Sequence, residues 1–376
     1  MVENQEKRVF NFSAGPCCLP LEVLRRAQKD LISWQGTGLS VMEMSHRSKH
    51  FTQIAEKARA DLRKLLSVPE EFTIFFFQGG ASQQWSAMCQ NIFGDEECGA
   101  NFLTTGIWSE GAIKEGKKYG AAHEVVDPKK HKYRTIDDPS EWSVNAAADH
   151  KLFHYCDNET VQGFEFHEFP HHVKPADQFM VCDMSSNFCS KPIDWSKYDV
   201  VYAGAQKNVG PAGCTIVIVR DKVLNLNQKS KHTPIVNEWQ TYKKAACMFH
   251  NTPSCFAIYM AGLNIEYMLE QGGIPAMQAL AAKRSGMLYD YIDSTDGYYK
   301  SYVDPKYRSR MNVPFRVKDD DGLEKKFISE AASHDLVELS GHRTTGGCRA
   351  SMYNAMPVEG TEALIAFMKK FREENP

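Results

Sequence analysis

Residues Phe72-Thr73-Ile74-Phe75-Phe76-Phe77 form an almost wholly apolar run, closed by Gly79-Gly80. A strand with one face in water alternates polar and apolar side chains, whereas a run that is apolar throughout has both faces covered. From about Gln83 the pattern turns helical. A doubly covered strand that feeds a helix restricts the chain to a layered α/β fold. Further short apolar runs stand at Asn101–Thr104, Glu124–Val126, Leu152–Tyr155, Phe179–Cys182, Val200–Ala203 and Thr215–Val219. Most are separated by segments long enough for a crossover, so the expectation is a mostly parallel, seven-stranded sheet covered by helices.

Helical spacing is read at Leu21, Leu24, Leu31 and Trp34 after Pro20, and again at Phe51, Ile54, Ala55, Ala58, Leu62 and Leu65. A long helix is expected over Phe256–Glu270, with Gly272-Gly273 as its stop. Beyond it the style changes to strands at Val313–Val317, Leu336–Leu339 and Ala350–Asn354 and a last helix through Leu364, Ile365, Met368 and Phe371. This predicts a large domain over 17–272 and a smaller α+β domain built from 1–16 and 273–376. The run Lys318-Asp319-Asp320-Asp321-Gly322 lacks the spacing and terminal Glu of a calcium loop and reads as a solvated turn.

Composition narrows the function. The 44 Lys+Arg and 47 Asp+Glu leave a net charge of −3, which does not suit a general nucleic-acid binder. No apolar run is long enough for a membrane helix, and the first ten residues are polar. Eleven scattered cysteines suit reduced thiols in the cytoplasm. Asn158-Glu159-Thr160 matches a glycosylation sequon that such a protein would not use, and His171-His172 lacks partners at metal-ligand spacing, so no metal site is expected.

Three elements carry chemistry. Lys207 lies in Gly204-Ala205-Gln206-Lys207-Asn208-Val209-Gly210-Pro211-Ala212-Gly213, a turn between two apolar runs. Lysine beside a buried sheet loses solvation of its charged form and becomes a nucleophilic amine. Asp183 ends the run Phe179–Cys182, and an acid at the C-terminal end of a parallel strand points into the ligand crevice. There it suits the ring nitrogen of pyridoxal phosphate (PLP). The turn Gly79-Gly80-Ala81-Ser82 leads into a helix whose free N–H groups form an anion cup. Trp108, in Gly106-Ile107-Trp108-Ser109, offers either a stacking face or a core ring. A phosphate cup, an acid and a lysine, in that order, point to a PLP enzyme.

From Asn11 to Met368 the chain resembles the phosphoserine aminotransferase family of fold-type-I PLP enzymes. The resemblance rests on Asn11-Phe12-Ser13-Ala14-Gly15-Pro16, Met44-Ser45-His46-Arg47, the Gln206–Gly213 turn, Asn251-Thr252-Pro253 and the run Gly341-His342-Arg343-Thr344-Thr345-Gly346-Gly347-Cys348-Arg349-Ala350-Ser351-Met352-Tyr353-Asn354-Ala355. It implies that Lys207 is the Schiff-base lysine, Asp183 the acid on the ring nitrogen, Trp108 the stacking aromatic and Thr160 a contact near the ring hydroxyl. Ala81, Ser82 and Gln206 match phosphate contacts. Asn251 and Thr252 match residues reaching the coenzyme of a neighbouring subunit, which implies a homodimer with shared sites. His46, Arg47, His342, Arg343 and Arg349 match the substrate pocket. Some family members carry arginine where Ser82 stands, and Ser254-Cys255 also departs from the usual pattern.

The implied reaction is a ping-pong exchange between glutamate and 3-phosphohydroxypyruvate, in serine biosynthesis. Each amino acid has two anionic ends, so two separated cationic clamps are required. Arg349 is assigned to the α-carboxylate, and Arg47, His46, His342 and Arg343 to the distal phosphate or carboxylate. Competing readings are a lyase on the same fold, which would need a mobile reactive cysteine or a different pocket, and a silent binding protein, against which Lys207 and Asp183 both argue. A related activity on 4-phosphohydroxythreonine is the nearest alternative substrate choice.

Overall fold

The computed structural model describes residues 8–94, 97–226 and 232–376. Its centre is one seven-stranded sheet of β1 (Phe72–Phe77), β2 (Gly99–Leu103), β3 (Ala121–Glu124), β4 (His150–Cys156), β5 (Phe179–Asp183), β6 (Val200–Gly204) and β7 (Thr215–Arg220). The spatial order is β1-β7-β6-β5-β4-β2-β3. β7 runs antiparallel to both of its neighbours, and the remaining pairings are parallel. The expected α/β class with a mostly parallel sheet is therefore the observed one.

The run at 72–77 is apolar throughout because it serves two cores. Ile74 and Phe76 pack on one side of the sheet, Phe75 and Phe77 on the other. Each buried phenylalanine removes about 1.5–3 kcal/mol worth of apolar surface from water. The first side is covered by α1 (Leu21–Asp30), α2 (Lys49–Leu66) and, further along the chain, the helix Cys255–Glu270; the second carries α3 (Ala81–Phe93) and α4 (Ile107–Gly116). Ser48 starts α2 by accepting from the Phe51 amide at 3.2 Å, and Ser67 ends it in a left-handed conformation at φ 51°.

Two sequence readings are displaced. The spacing from Leu21 to Trp34 suggested one helix, but α1 stops at Asp30. Ser33 is extended, and the Trp34 amide turns back to the Leu39 carbonyl at 2.9 Å. Trp34 is buried after the turn, so its apolar character reflects burial and not helical phase. The strand expected at Glu124–Val126 lies at Ala121–Glu124. It is a partly exposed edge strand with little apolar signal, while Val125 and Val126 are buried just beyond its end.

Cys255–Glu270 is α5, and Gly272, at φ +99°, is the joint between it and α6 (Gly273–Asp293). The glycines thus stop one helix only to start another. After α6 come β8 (Tyr299–Lys300), β9 (Asn312–Val317), α7 (Asp321–Ser333), β10 (Cys348–Ser351) and α8 (Val358–Glu374). β8, β9 and β10 form an antiparallel sheet with β9 in the centre. The strand expected at 350–354 begins earlier, at Cys348, and that at 336–339 shortens to Leu336–Val337. The acidic run caps α7, where the Asp320 carboxylate accepts from the Gly322 and Leu323 amides. Phe10–Asn11 pairs in parallel with Leu336–Val337, and Phe12 joins a separate apolar core with Leu288, Phe315, Phe327 and Leu364. Of the expected segment 1–16, residues 1–7 lie outside the described residues. Among the described residues, no helix is long and apolar enough to cross a membrane.

Candidate active site

The chemistry-bearing side chains emerge at the C-terminal rim of the parallel strands, where an α/β sheet leaves a crevice. Asp183 is the last residue of β5, and Lys207 lies in the turn after β6. α3 begins just beyond β1, α4 just beyond β2, and Thr160 sits in a small hairpin beyond β4. Ala81, Ser82, Trp108, Thr160, Asp183, Gln206, Lys207, His342 and Arg349 all border one cavity of about 300 Å³.

Lys207 is held from several sides. Its Nζ donates to Thr160 Oγ1 at 2.7 Å and stands 5.6 Å from the Trp108 ring. Gly15 passes over its stem: a Cβ there would meet Lys207 Cγ at 3.4 Å, and φ of +141° disfavours any side chain. Burial pushes the Lys207 amine below its ordinary range, an effect opposed in part by the Asp183 charge. A neutral amine is thereby easier to reach, as a nucleophile requires.

Asp183 is 6 % exposed and accepts from the Ser185 amide at 2.8 Å. Burial raises its carboxyl above the usual carboxylate range, while Ser185 and Lys207 pull the other way. A carboxylate poised in this way is held in its charged form by a cationic partner. Trp108 is 36 % exposed, which argues against a purely core role for so large a ring. Its backbone is fixed by the fully buried Glu159, whose carboxylate accepts from the Trp108 amide at 3.1 Å and the Ser109 amide at 2.9 Å. At the start of α3, Gly80 has no side chain to cap the helix, and space is open around it. That leaves the first amides and the positive helix end facing the cavity, a fit for a phosphate.

Across the cavity, Arg349 is half-buried on β10 and its Nε has no hydrogen-bond partner among the described residues. A desolvated guanidinium lacking a partner is a site in demand of an anion. His342 lies on the same wall; burial, then Arg349 and Arg343, lower its basicity. A lysine amine, a buried acid, an exposed indole face and a helix N-terminus around one cavity fit the functional groups of PLP.

Five expected residues do not border this cavity within one chain. Arg343 is exposed, and so is Arg47. His46 is buried, with its Nε2 unpartnered among the described residues. Asn251 accepts from the Tyr242 hydroxyl at 2.6 Å, and the Thr252 carbonyl accepts from Gln78. The sequon is internal: Asn158 is buried and donates to Ser186 at 2.7 Å and to Asn312 at 2.8 Å. Sequence reasoning passed over Trp85, Asn158, Ser185 and Ser186, which also line the cavity. Ser185 carried a usable signal, being two residues past the strand-ending acid; Trp85 carried none, since its helix faces both core and cavity.

A family model described as aminotransferase class-V matches residues 9–364. Phosphoserine aminotransferase 1, chloroplastic, of Arabidopsis thaliana is 45 % identical over 98 % of this chain and 84 % of its own length. Phosphoserine aminotransferase of Acinetobacter baumannii is 47 % identical, covering 98 % and 99 %. Among solved structures, the phosphoserine aminotransferase of Bacillus circulans subsp. alkalophilus superposes with a TM-score of 0.92 at 38 % identity, covering 98 % and 99 %. The PLP-bound enzyme of Trichomonas vaginalis gives 0.90 at 39 %, covering 96 % and 100 %. Likeness of this depth over nearly the full length, in sequence and in backbone alike, means that the chain belongs to the phosphoserine aminotransferase family of the class-V aminotransferases.

Proposed function

We propose that this chain is a PLP-dependent transaminase that interconverts 3-phosphohydroxypyruvate plus L-glutamate and O-phospho-L-serine plus 2-oxoglutarate, with the site roles given below. The observation that carries the reading is a desolvated Lys207 amine sharing a cavity with Asp183 and the unpaired Arg349. Bound PLP supplies an aldehyde carbon for the amino group and a ring that takes up the electron pair left by the departing Cα proton.

Lys207 holds the coenzyme covalently, and its amine, once freed, carries the proton to and from Cα. Thr160, accepting from Nζ at 2.7 Å, holds the amine in place. Asp183 holds a positive charge on the ring nitrogen, and Trp108 covers the ring. Ala81, Ser82 and Gln206 take the phosphate at the α3 N-terminus. Arg349 binds the α-carboxylate with its planar fork. His342 and Arg343, with His46 and Arg47, receive the distal phosphate or carboxylate. The placing of His342, Arg343 and Arg349 on the 273–376 segment suits a small domain of 1–16 and 273–376 beside a large one of 17–272; Phe12 shares one apolar core with residues from Leu288 to Phe371, while Ile274, Met277, Val303 and Tyr307 pack into the core of the large domain.

A half-reaction screen tests the function. Coenzyme absorbance should change with phosphoserine and glutamate and stay constant with alanine and cysteine. Equal rates with alanine or release of sulfide from cysteine would overturn it. Activity on 4-phosphohydroxythreonine, the adjoining reading, is decided in the same assay.

The absence of His46, Arg47, Asn251 and Thr252 from the lining of this chain's own cavity supports a homodimer in which these residues serve the partner's site. A Lys207→Ala chain and an Arg47→Ala chain, each inactive alone, should then regain about a quarter of the activity when co-refolded, because half of the dimers hold one intact site. No recovery from a mixture that does form mixed dimers would show that Arg47 serves its own chain. The cytoplasm is the proposed location, supported by the lack of any disulfide among the described residues; a tagged chain found in an oxidising compartment would contradict it.

A further inference from the structure

Asp183 is flanked by two strands, and each sends a buried side chain toward it. Tyr202 on β6 is its register partner, and His154 on β4 stands opposite Val181, two residues earlier on β5. Side chains two apart share a face of the sheet. Tyr202 and His154 therefore meet across β5, directly beneath the acid. His154 Nε2 lies 2.8 Å from Tyr202 Oη, the two rings are within 19° of parallel, and both residues are at most 1 % exposed. Nothing in the reaction as set out above uses either one.

The direction of the chain follows from an orphan atom. His154 Nδ1 is buried without a partner. A buried N–H without an acceptor costs more than a bare ring nitrogen, so the proton belongs on Nε2. Nε2–H then donates to Tyr202 Oη, which leaves the tyrosine proton free on the strand position paired with Asp183. The hydroxyl is among the groups that favour the charged form of that acid. Burial keeps His154 neutral, down to about 3, so it serves as a fixed donor through the working range. The other titratable groups around Asp183 are Lys207, Glu159 and Cys156, with Cys182 beside it in the chain.

We propose that Tyr202 and His154 are positioning residues, a neutral donor chain that holds the Asp183 carboxylate charged and aimed at the coenzyme ring nitrogen. The inference rests on the role proposed for Asp183, and the experiment separates the two. Holoenzymes carrying Tyr202→Phe, His154→Phe, His154→Gln or Asp183→Asn are titrated by the coenzyme's visible absorbance, and kcat and KM are measured for each. Tyr202→Phe removes one oxygen and keeps the ring. It should move the absorbance midpoint upward by about 0.5 pH unit or more, because a less charged acid leaves the ring less electron-withdrawing and the lysine-linked nitrogen more basic. It should lower kcat about tenfold, the worth of one hydrogen bond to a charged group, with KM nearly unchanged. His154→Phe should act in the same way, and His154→Gln, whose amide restores a donor, should recover most of both. Wild-type midpoint and kcat in Tyr202→Phe, beside a severely impaired Asp183→Asn, would refute the donor chain alone. A harmless Asp183→Asn would remove the role of Asp183 and the inference with it. Equal losses in the Gln and Phe variants would count against donation by His154, and Tyr202→Phe still decides should His154→Phe fail to fold.

Discussion

Lys207→Ala should lower transamination by about 10³-fold or more, the scale of losing both the covalent attachment and the proton carrier at Cα. The variant should also fail to retain coenzyme after borohydride reduction and denaturation, as mass spectrometry would register. Folding should be little affected. Lys207 takes part in no ion pair among the described residues, and its principal side-chain bond is the one to Thr160. Removal of a desolvated amine leaves Thr160 able to take up water in a cavity of about 300 Å³. Near-wild-type turnover in this variant, with full occupancy by the coenzyme, would remove the chemistry proposed for the site.

Arg349→Ala should cost about 2–5 kcal/mol in kcat/KM, or roughly 30-fold to several thousand-fold, for phosphoserine and glutamate alike. The equality is the informative part, because the α-carboxylate is common to both. Arg349→Lys should recover only part of the loss, since an ammonium keeps the charge without the fork that grips a carboxylate at two points. The apo protein should be no less stable, because burial already lowers the guanidinium's basicity and its Nε has no partner to lose. A loss confined to phosphoserine would move Arg349 to the distal end of the substrate and break the assignment.

The parts of the fold legible in the sequence were those where one local property had one physical cause. The run at 72–77 reads as a doubly covered strand because any side chain there meets a core, on either face. Gly272 reads as a helix end because a φ of +99° suits glycine and few others. Local pattern misled where a tertiary contact took over. Trp34 continues the phase of α1, yet it is buried by a returning loop. β3 carries almost no apolar signal, since half of an edge strand faces water, and the neighbouring valines drew the expectation past its end.

The site divides along the same line. A lysine in a glycine-rich turn and an acid at a strand end can be found in the sequence because both lie at junctions that the sheet places on one rim. The amino-acid order thus determined the α/β layering, the rim and the candidate reactive groups on it. Tertiary structure alone decided that Thr160 meets the lysine, that Glu159 fixes the backbone of Trp108, and that Tyr202 and His154 join beneath Asp183. Those pairings link strands and loops 47 to 51 residues apart, and spacing along a chain carries no information about which strand lies beside which. Hydrogen bonds between them exist only once the sheet order has been set by burial of the two apolar faces.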